Sequence, residues 1–547
     1  MKKRWIFKYV GFWFMVLLLM VPSVCTGYEE GMYILKAGYD LDLTRRHQWF
    51  PTILYNHIDD EFIVTWRTSG KLRDDCGVGD DYECTTSFQT IDARRISPDG
   101  ELLGDLIQWS PPEPGWKQTP RIAHNFYKNE YVVVFSKGAD FGLGAIYVVR
   151  TDNLGNILYG PELLHPGEKA LLPDVIFNSV RREYLVVYND YNVFNEYNNN
   201  VFFILNEDGI PIKGPFAAGD QFGIRFAPDP AYNPTDDTYL LAWEDFRGAE
   251  SQEAWFMGPN DARGVLLDGE GNLITEVAYT DDNDVPVPEG SYARTQWSPG
   301  VTYNPDKNEF FCVWTDSRPE CDDGCIYGRV VNADGSLEPE VLIEDSPRAQ
   351  ATGEVIYIPN RKMYFVAYSD ARDYVRPPGA MPYINEYDIY GRWLDDTGQP
   401  TGEAMPFFIQ QGKQHMPEMA YHPGKDRILI VWEDEYAPKD FEPVPGGDLL
   451  WTEEQREVKG VLYGAPPETT STCPALRIYG EDSEETDIMR NFRDNVLKQT
   501  PEGQSLIKLY YQWSPVIVKA MERDEEFKEK VKQMIDGVLG LVVEETE

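Results

Sequence analysis

The chain has 547 residues, among them 33 Tyr, 26 Phe, 14 Trp, 45 Gly and 39 Pro. That length exceeds what one ordinary globular core uses, and the composition suits strands joined by turns. A formal charge of −41 excludes nucleic acid and anionic lipid as partners by repulsion, and favours cations.

Taken in chain order, Lys2, Lys3 and Arg4 precede an apolar run to Met20 and a small-residue stretch before Tyr28. This is the layout of a secretory signal peptide over residues 1–27, with a retained anchor as the alternative. No later stretch is long and apolar enough to span a bilayer. The segment carries four basic and no acidic residues, which leaves a mature chain near −45. The expected location is secreted, periplasmic or cell-surface.

One unit then recurs seven times over residues 28–465. Its clearest copy runs from Val301 to Arg318; others run from Pro230 to Arg247, Val355 to Arg372 and Met419 to Tyr436. Weaker copies start at Ile53, Ile122 and Val175. The aromatic of each copy falls at Trp66, Phe135, Tyr188, Trp243, Trp314, Tyr368 and Trp432, a mean step of about 61 residues that points to propellers or solenoids. Each unit reads as four strands: a short one ending at Tyr-Asn-Pro, an almost wholly apolar one, and a hairpin with an Asp/Asn-Gly turn. The predicted fold class is all-β, a seven-bladed β-propeller of four-stranded antiparallel blades. The last unit lacks a fourth strand, and a spare one, Gly31 to Tyr39, precedes the first. Pairing the two would close the ring and remove an open edge.

The run Tyr-Asn-Pro…Asn-Glu-Phe…Val-Trp-x-Asp-x-Arg…Ile-Tyr-Gly-Arg-Val…Asp-Gly resembles the repeat of a widespread group of secreted microbial propeller proteins. The resemblance covers roughly residues 31–465 and implies the fold, but no single activity.

Residues 466–480 read as a linker and 481–547 as a small helical domain. Ile488, Met489, Phe492, Val496 and Leu497 recur at helical spacing. Gly503 to Trp513 predicts a second helix, Ser514-Pro515 opens a third and Asp524 caps a fourth. This stretch resembles the C-terminal domain named after its Cys-Phe-Ile box, at Phe492-Arg493-Asp494, Tyr510-Tyr511, Ser514-Pro515 and Cys473. Pro474 and Ala475 depart from the box. The resemblance implies attachment, sorting or partner binding; a helical cap on the propeller is the alternative.

In an oxidising compartment Cys76 with Cys84 and Cys321 with Cys325 are candidate loop disulfides, and Cys312 reads as a buried thiol. Scattered His and the lack of paired Cys motifs argue against zinc, and no cofactor is implied. The acidic loops at Asp281-Asp282-Asn283-Asp284 and Asp322-Asp323 are candidates for Ca²⁺ without an EF-hand spacing.

Two patterns of side chains stand out. An Asp follows the aromatic at Asp190, Asp245, Asp316, Asp370 and Asp434, with an Arg two residues on at Arg247, Arg318 and Arg372. Repetition makes these structural, the Asp capping the next turn and the Arg pairing with it. Just before the innermost strands lie Arg46, Gln48, Lys117, Arg225, Arg294, Gln296, Arg348 and Lys413. These are candidates to ring a channel mouth and bind a ligand, or else to pair with the repeated Asp residues. Catalytic motifs such as GxSxG, HExxH, a P-loop or a sialidase-type Asp box are absent. The expectation is an exported binding or scaffold protein that recognises a glycan or a protein. A propeller-type carbohydrate-active hydrolase or lyase, with non-repeated carboxylates facing one another, is the first alternative, and a structural cell-envelope protein the second. No oligomeric state is implied.

Overall fold

A strand covered on both faces must be almost wholly apolar, as the second strand of the clearest repeat is: Phe310, Phe311, Cys312, Val313 and Trp314 are all inaccessible to solvent. The computed structural model describes residues 33–41, 46–72, 89–112, 115–140, 143–192, 197–218, 225–246, 260–280, 295–318, 321, 324–372, 387–410, 412–436, 455–465, 474–480, 483–495, 517–518, 521 and 525–546. These residues form an all-β unit of repeated antiparallel sheets, followed by helices.

The strands are β1 (Tyr33–Asp40), β2 (Arg46–Asn56), β3 (Glu61–Leu72), β4 (Thr90–Ile96), β5 (Leu102–Gln108), β6 (Trp116–Asn125), β7 (Glu130–Asp140), β8 (Leu143–Asp152) and β9 (Ile157–Asn178). There follow β10 (Glu183–Asn192), β11 (Tyr197–Leu205), β12 (Pro211–Ala217), β13 (Arg225–Asn233), β14 (Thr238–Asp245), β15 (Asp261–Asp268), β16 (Leu273–Ala278), β17 (Gln296–Asn304) and β18 (Glu309–Asp316). The last are β19 (Cys325–Asn332), β20 (Val341–Glu344), β21 (Gln350–Ile358), β22 (Met363–Asp370), β23 (Asp388–Leu394), β24 (Met405–Phe408), β25 (Lys413–His422), β26 (Arg427–Tyr436) and β27 (Gln455–Gly464).

Four sheets follow chain order: β2-β3-β4-β5, β13-β14-β15-β16, β17-β18-β19-β20 and β21-β22-β23-β24. A fifth has the order β1-β27-β26-β25, so the strand that precedes the first repeat is the edge strand of the last. The remaining sheet has seven strands, β6 to β12, because β9 runs unbroken for 22 residues. Its first half pairs with β8 and its second half with β10. The sequence reading separates two units there; the structure joins them through this shared strand. The first strands of the repeats, β2, β6, β9, β13, β17, β21 and β25, each pack against the next, and β25 packs against β2.

The Asn of Tyr-Asn-Pro is explained by what its side chain does. Asn233 Oδ1 accepts the N–H groups of Thr235 (2.8 Å) and Asp236 (3.2 Å), which sets the turn into the second strand. Its counterparts Asn56 and Asn125 do the same. The residue that enters the second strand is left-handed in every repeat, from Asp60 (φ 56°) to Asp426 (φ 51°), and Asn and Asp tolerate that conformation best after Gly. In the outer hairpin, Asp268 Oδ1 accepts the N–H groups of Glu270 and Asn272, and Gly271 sits at φ 85°.

Cys321 and Cys325 form a disulfide, and Cys312 is a buried free thiol. Cys76, Cys84 and the acidic loops at 281–284 and 322–323 lie outside the described residues. Of the terminal helices, the structure describes α1 (Pro474–Tyr479), α2 (Glu484–Asn495) and α3 (Glu525–Thr546). Ala475, Ile517, Met521, Val531, Ile535 and Leu539 form their core. The segment read as a linker therefore contributes a helix, and its Ala475 belongs to the helical core. The helix expected over Gly503 to Trp513 lies outside the described residues. Among the described residues no helix is long and apolar enough to cross a membrane.

Candidate functional site

Each first strand of the repeats is broken by an irregularity at the same place, and β2 carries a second between Arg46 and Gln48. The pairing register shifts between Trp49 and Thr52, Gln118 and Arg121, Phe226 and Asp229, Trp297 and Gly300, Ala351 and Glu354, and His415 and Glu418. In β9 the shift falls opposite Val187 to Asn189. Six of the seven bulges contain a proline, at Pro51, Pro120, Pro173, Pro228, Pro299 and Pro417. Proline has no N–H to give to the ladder, so a strand accepts it where the ladder is already broken. The residue before each of these prolines is left-handed, with φ between 45° (Thr119) and 53° (Met416).

Neighbouring sheets hold three of these bulges. Ala227 N–H donates to Asn189 Oδ1 (3.1 Å), Ser298 N–H to Glu244 Oε1 (2.8 Å) and Phe50 N–H to Glu433 Oε2 (3.1 Å). In each case the acceptor stands on the second strand of the preceding repeat.

The bulges turn the next residue inward. Thr52, Arg121, Asp174, Asp229, Gly300, Glu354 and Glu418, one from each first strand, line a single cavity of about 360 Å³ together with Glu244 and Phe226. Arg121 Nε lies 3.1 Å from Asp174 Oδ2, and its Nη2 lies 3.2 Å from Glu418 Oε1. Asp174 Oδ1 also accepts Val175 N–H, and Asp229 Oδ2 accepts Val301 N–H (2.7 Å). Five carboxyl groups thus share a confined space with one guanidinium.

Confinement changes how these groups ionise. Burial alone would lower Arg121, but Glu418, Asp174, Asp229 and Glu354 outweigh it and hold the guanidinium firmly charged. Burial raises Asp174 and Glu418, with Arg121 opposing in both. Asp229 is pushed well up by burial and then by Asp174, and Glu354 by burial and then by Glu418 and Asp229. Burial carries Glu244 from 4.5 to about 7 against the opposing bond from Ser298.

A second polar cluster lies next to the bulge of β25. His415 Nε2 is 2.9 Å from Glu435 Oε1 and 3.5 Å from Glu433 Oε1. Their ligand atoms all lie within 4.8 Å of one another, a spacing a metal ion could use. Arg456 already pairs with both carboxylates at 3.1 Å, and occupies the place of a cation. Nearby Arg67 stands over the Trp49 ring at 4.0 Å; burial lowers it to about 9, against the pull of Glu433.

Of the residues expected at a channel mouth, four are buried within the chain, and Arg225 takes the alternative, pairing with the repeated Asp245 at 3.7 Å. Gln48, Lys117, Arg225 and Gln296 are buried, and their polar atoms engage the chain itself. Gln48 Oε1 accepts Val458 N–H, Lys117 Nζ donates to the carbonyls of Gln89 and Pro111, and Arg225 donates to the carbonyl of Ala218. Gln296 Oε1 accepts from Thr280 Oγ1. Arg348 and Lys413 are half-buried. The Arg46 side chain and Arg294 lie outside the described residues.

The repeated Asp residues close their strands. Asp316 accepts Arg318 N–H (2.8 Å), pairs with its guanidinium (2.6 Å) and accepts Trp314 Nε1 (3.1 Å). Asp370 and Arg372 repeat the arrangement, and each Arg lies over a Tyr ring, Tyr327 or Tyr390. Asp245 accepts from Trp243, while Asp434 holds Gln414 and Lys459. Asp190 sits half-buried at the same place on β10, and Arg247 lies outside the described residues.

The cavity residues were missed by motif reasoning, although a signal exists. A residue following Pro, four positions before the turn Asn, recurs as Thr52, Arg121, Asp174, Asp229 and Gly300. Its chemistry changes from repeat to repeat, which is what a site, rather than a scaffold, requires.

No protein-family model and no curated protein matches the chain. Among solved structures, a protein of unknown function from Dyadobacter fermentans covers 80% of this chain and 100% of its own, at 10% identity and a TM-score of 0.42. The Dos1 propeller covers 79% and 96%, at 9% identity and 0.41. The Penicillium chrysogenum alpha-L-arabinanase, solved with arabinobiose, covers 80% and 98%, at 12% identity and 0.38.

Proposed function

We propose that the seven repeats are the blades of a seven-bladed β-propeller, closed by β1, and that its central cavity binds a sugar unit of a glycan. The circuit of first strands and the edge position of β1 support the architecture. The binding reading rests on one observation: seven inward positions deliver Arg121 and four carboxyl groups to one cavity of about 360 Å³. That volume suits a small ligand. Vicinal hydroxyls need acceptors and donors side by side; ionised carboxylates accept, while protonated carboxyls and a guanidinium donate. The signal segment and the Cys321–Cys325 bridge fit an exported protein, and the terminal helices serve for attachment. Calorimetric titration of the chain from Tyr28 onward with a panel of oligosaccharides tests the reading. Saturable binding weakened by Asp229→Asn and Glu354→Gln is expected; binding unaffected by both would overturn the placement.

A second reading has its own support. Asp229 and Glu354 are held towards the protonated form, while Asp174 and Glu418 are paired with Arg121. Carboxyl groups pushed apart in this way are what glycoside cleavage needs, one as acid and one as base or nucleophile. Turnover of a polysaccharide, lost in Glu354→Gln with binding kept, would establish it.

A further inference from the structure

The seven inward positions are not equally filled. Gly300 leaves its place in the ring without a side chain, on the strand between those that carry Asp229 and Glu354. A Cβ at Gly300 would stand 3.2 Å from the Gly353 carbonyl oxygen and 3.6 Å from Glu354 Oε2. The notch is therefore bounded by a carbonyl, a carboxylate and the Val313 Cγ2 methyl at 3.7 Å.

The polar groups beside it are acceptors. Arg121 makes its described ion pairs with Asp174 and Glu418, on the other strands. Asp229 uses Oδ2 for Val301 N–H, and among the described residues nothing donates to Oδ1. Among the same residues Glu354 has no hydrogen-bond donor and no cation at ion-pair distance. Glu244 also faces the cavity and is 7% exposed. Its one described bond is the Ser298 N–H to Oε1, and no cation pairs with it among the described residues. A buried acid with no cationic partner is costly unless something neutralises it.

We propose that the sugar bound in the cavity carries a protonated primary amine, seated in the Gly300 notch between Asp229 and Glu354. This rests on the glycan reading above and narrows its ligand to an amino sugar. A hydroxyl brings one donor; an ammonium group brings three donors, no acceptor and the missing positive charge. Burial and mutual repulsion favour the protonated forms of Asp229 and Glu354. The ammonium replaces those protons, so binding releases them to the buffer.

The test is calorimetry on the chain from Tyr28 onward with a glucosamine trimer, an N-acetylglucosamine trimer, a glucose trimer, a lysine tripeptide and Ca²⁺ alone. The glucosamine trimer is expected to bind at least about tenfold tighter than the acetylated and neutral trimers. Its apparent enthalpy is expected to vary with the ionisation enthalpy of the buffer, as proton release requires. Glu354→Gln and Asp229→Asn should each weaken it about tenfold, and Gly300→Ala should weaken it further by filling the notch. If the three trimers bind alike, the amine proposal falls and the glycan reading stands. If no sugar binds, both fall. A lysine tripeptide that competes as well as the amino sugar overturns the sugar assignment. Saturable Ca²⁺ binding lost in Asp229→Asn overturns the ammonium in favour of a metal. Should Gly300→Ala fail to fold, the near-isosteric Glu354→Gln carries the test.

Discussion

Asn178 Nδ2 lies 2.8 Å from the hydroxyl of Tyr239 and donates to it across two sheets. Asn56 reaches Tyr131 in the same way at 2.6 Å, and Asn304 reaches Tyr364 at 2.8 Å. The Asn that shapes a turn with its oxygen thus ties its sheet to the next with its nitrogen. Asn178 and Tyr239 are both buried, and among the described residues the Tyr239 hydroxyl has no other hydrogen bond, so losing Asn178 strands it. Asn178→Ala is expected to cost about 1–3 kcal/mol in urea unfolding, the range for orphaning a buried polar group such as the Tyr239 hydroxyl. An unchanged midpoint would show that the bond adds nothing.

The bulges make a second claim on stability. Ala227 sits at φ 50° immediately before Pro228, a conformation that glycine adopts freely and a β-branched residue resists. Ala227→Gly should therefore be neutral or stabilising, whereas Ala227→Val should destabilise by about 1–3 kcal/mol. Thermal unfolding of the pair checks this; a destabilised Gly variant would mean that the Ala227 methyl matters more than the backbone.

These cases mark what was legible in the sequence. Trp243, Trp314 and Asp316 could be placed because each recurs in a fixed local pattern whose cause, strand burial or turn capping, is local. Arg121 could not: its partners Asp174 and Glu418 stand 53 and 297 positions away and meet only because the circuit of first strands closes. Lys117 and Arg225 are channel-mouth candidates from their place before an innermost strand, yet both are buried: Lys117 donates to the carbonyls of Gln89 and Pro111, and Arg225 donates to the carbonyl of Ala218 and pairs with Asp245 at 3.7 Å. The sequence separates one repeat's hairpin, ending near Leu158, from the next repeat, starting at Val175, but β9 runs through the junction because β8 and β10 pair with its two halves.

Glu244 gives the first pH prediction. Its folded carboxyl titrates near about 7 rather than 4.5 because it is buried. Between those values the folded chain holds a proton that the unfolded chain has released. Stability therefore falls as pH rises through 4.5 to about 7, with no penalty below that window. Glu244→Gln keeps an acceptor for Ser298 N–H and removes the titration. The variant should match the parent at pH 4 and exceed it by about 1–3 kcal/mol at pH 8. Equal stability at both values would refute the burial argument.

His415 slopes the same way for a different reason. Burial would lower its pKa, but Glu433 and Glu435 outweigh burial and the opposing Lys413, and the net direction is upward from 6.5. A base raised on folding contributes stability that is complete below its unfolded pKa and is lost as pH rises through the folded value. The contribution is thus complete below 6.5 and lost as pH rises through the raised folded value. Arg456 shares both carboxylates, so it keeps them paired when His415 loses its proton, which limits the loss. His415→Gln should lower stability at pH 6 and leave it nearly unchanged at pH 9, read from unfolding midpoints.

Arg121 is the harder test, since it holds the cavity acids together. Its side chain is 27% exposed, so breaking its pairs should cost less than the roughly 3–5 kcal/mol seen for fully buried ones; about 1–3 kcal/mol is expected for Arg121→Met at pH 8. The cost arises from Asp174 and Glu418 left charged beside Asp229 and Glu354. It should therefore shrink at pH 5, where these acids, already shifted upward, take up protons instead. Adding Asp174→Asn and Glu418→Gln to Arg121→Met should recover most of the loss at pH 8, because the charges that needed the guanidinium are gone. A triple variant no more stable than Arg121→Met would mean that Arg121 acts through packing of its stem, and that the ion pairs are incidental to the fold.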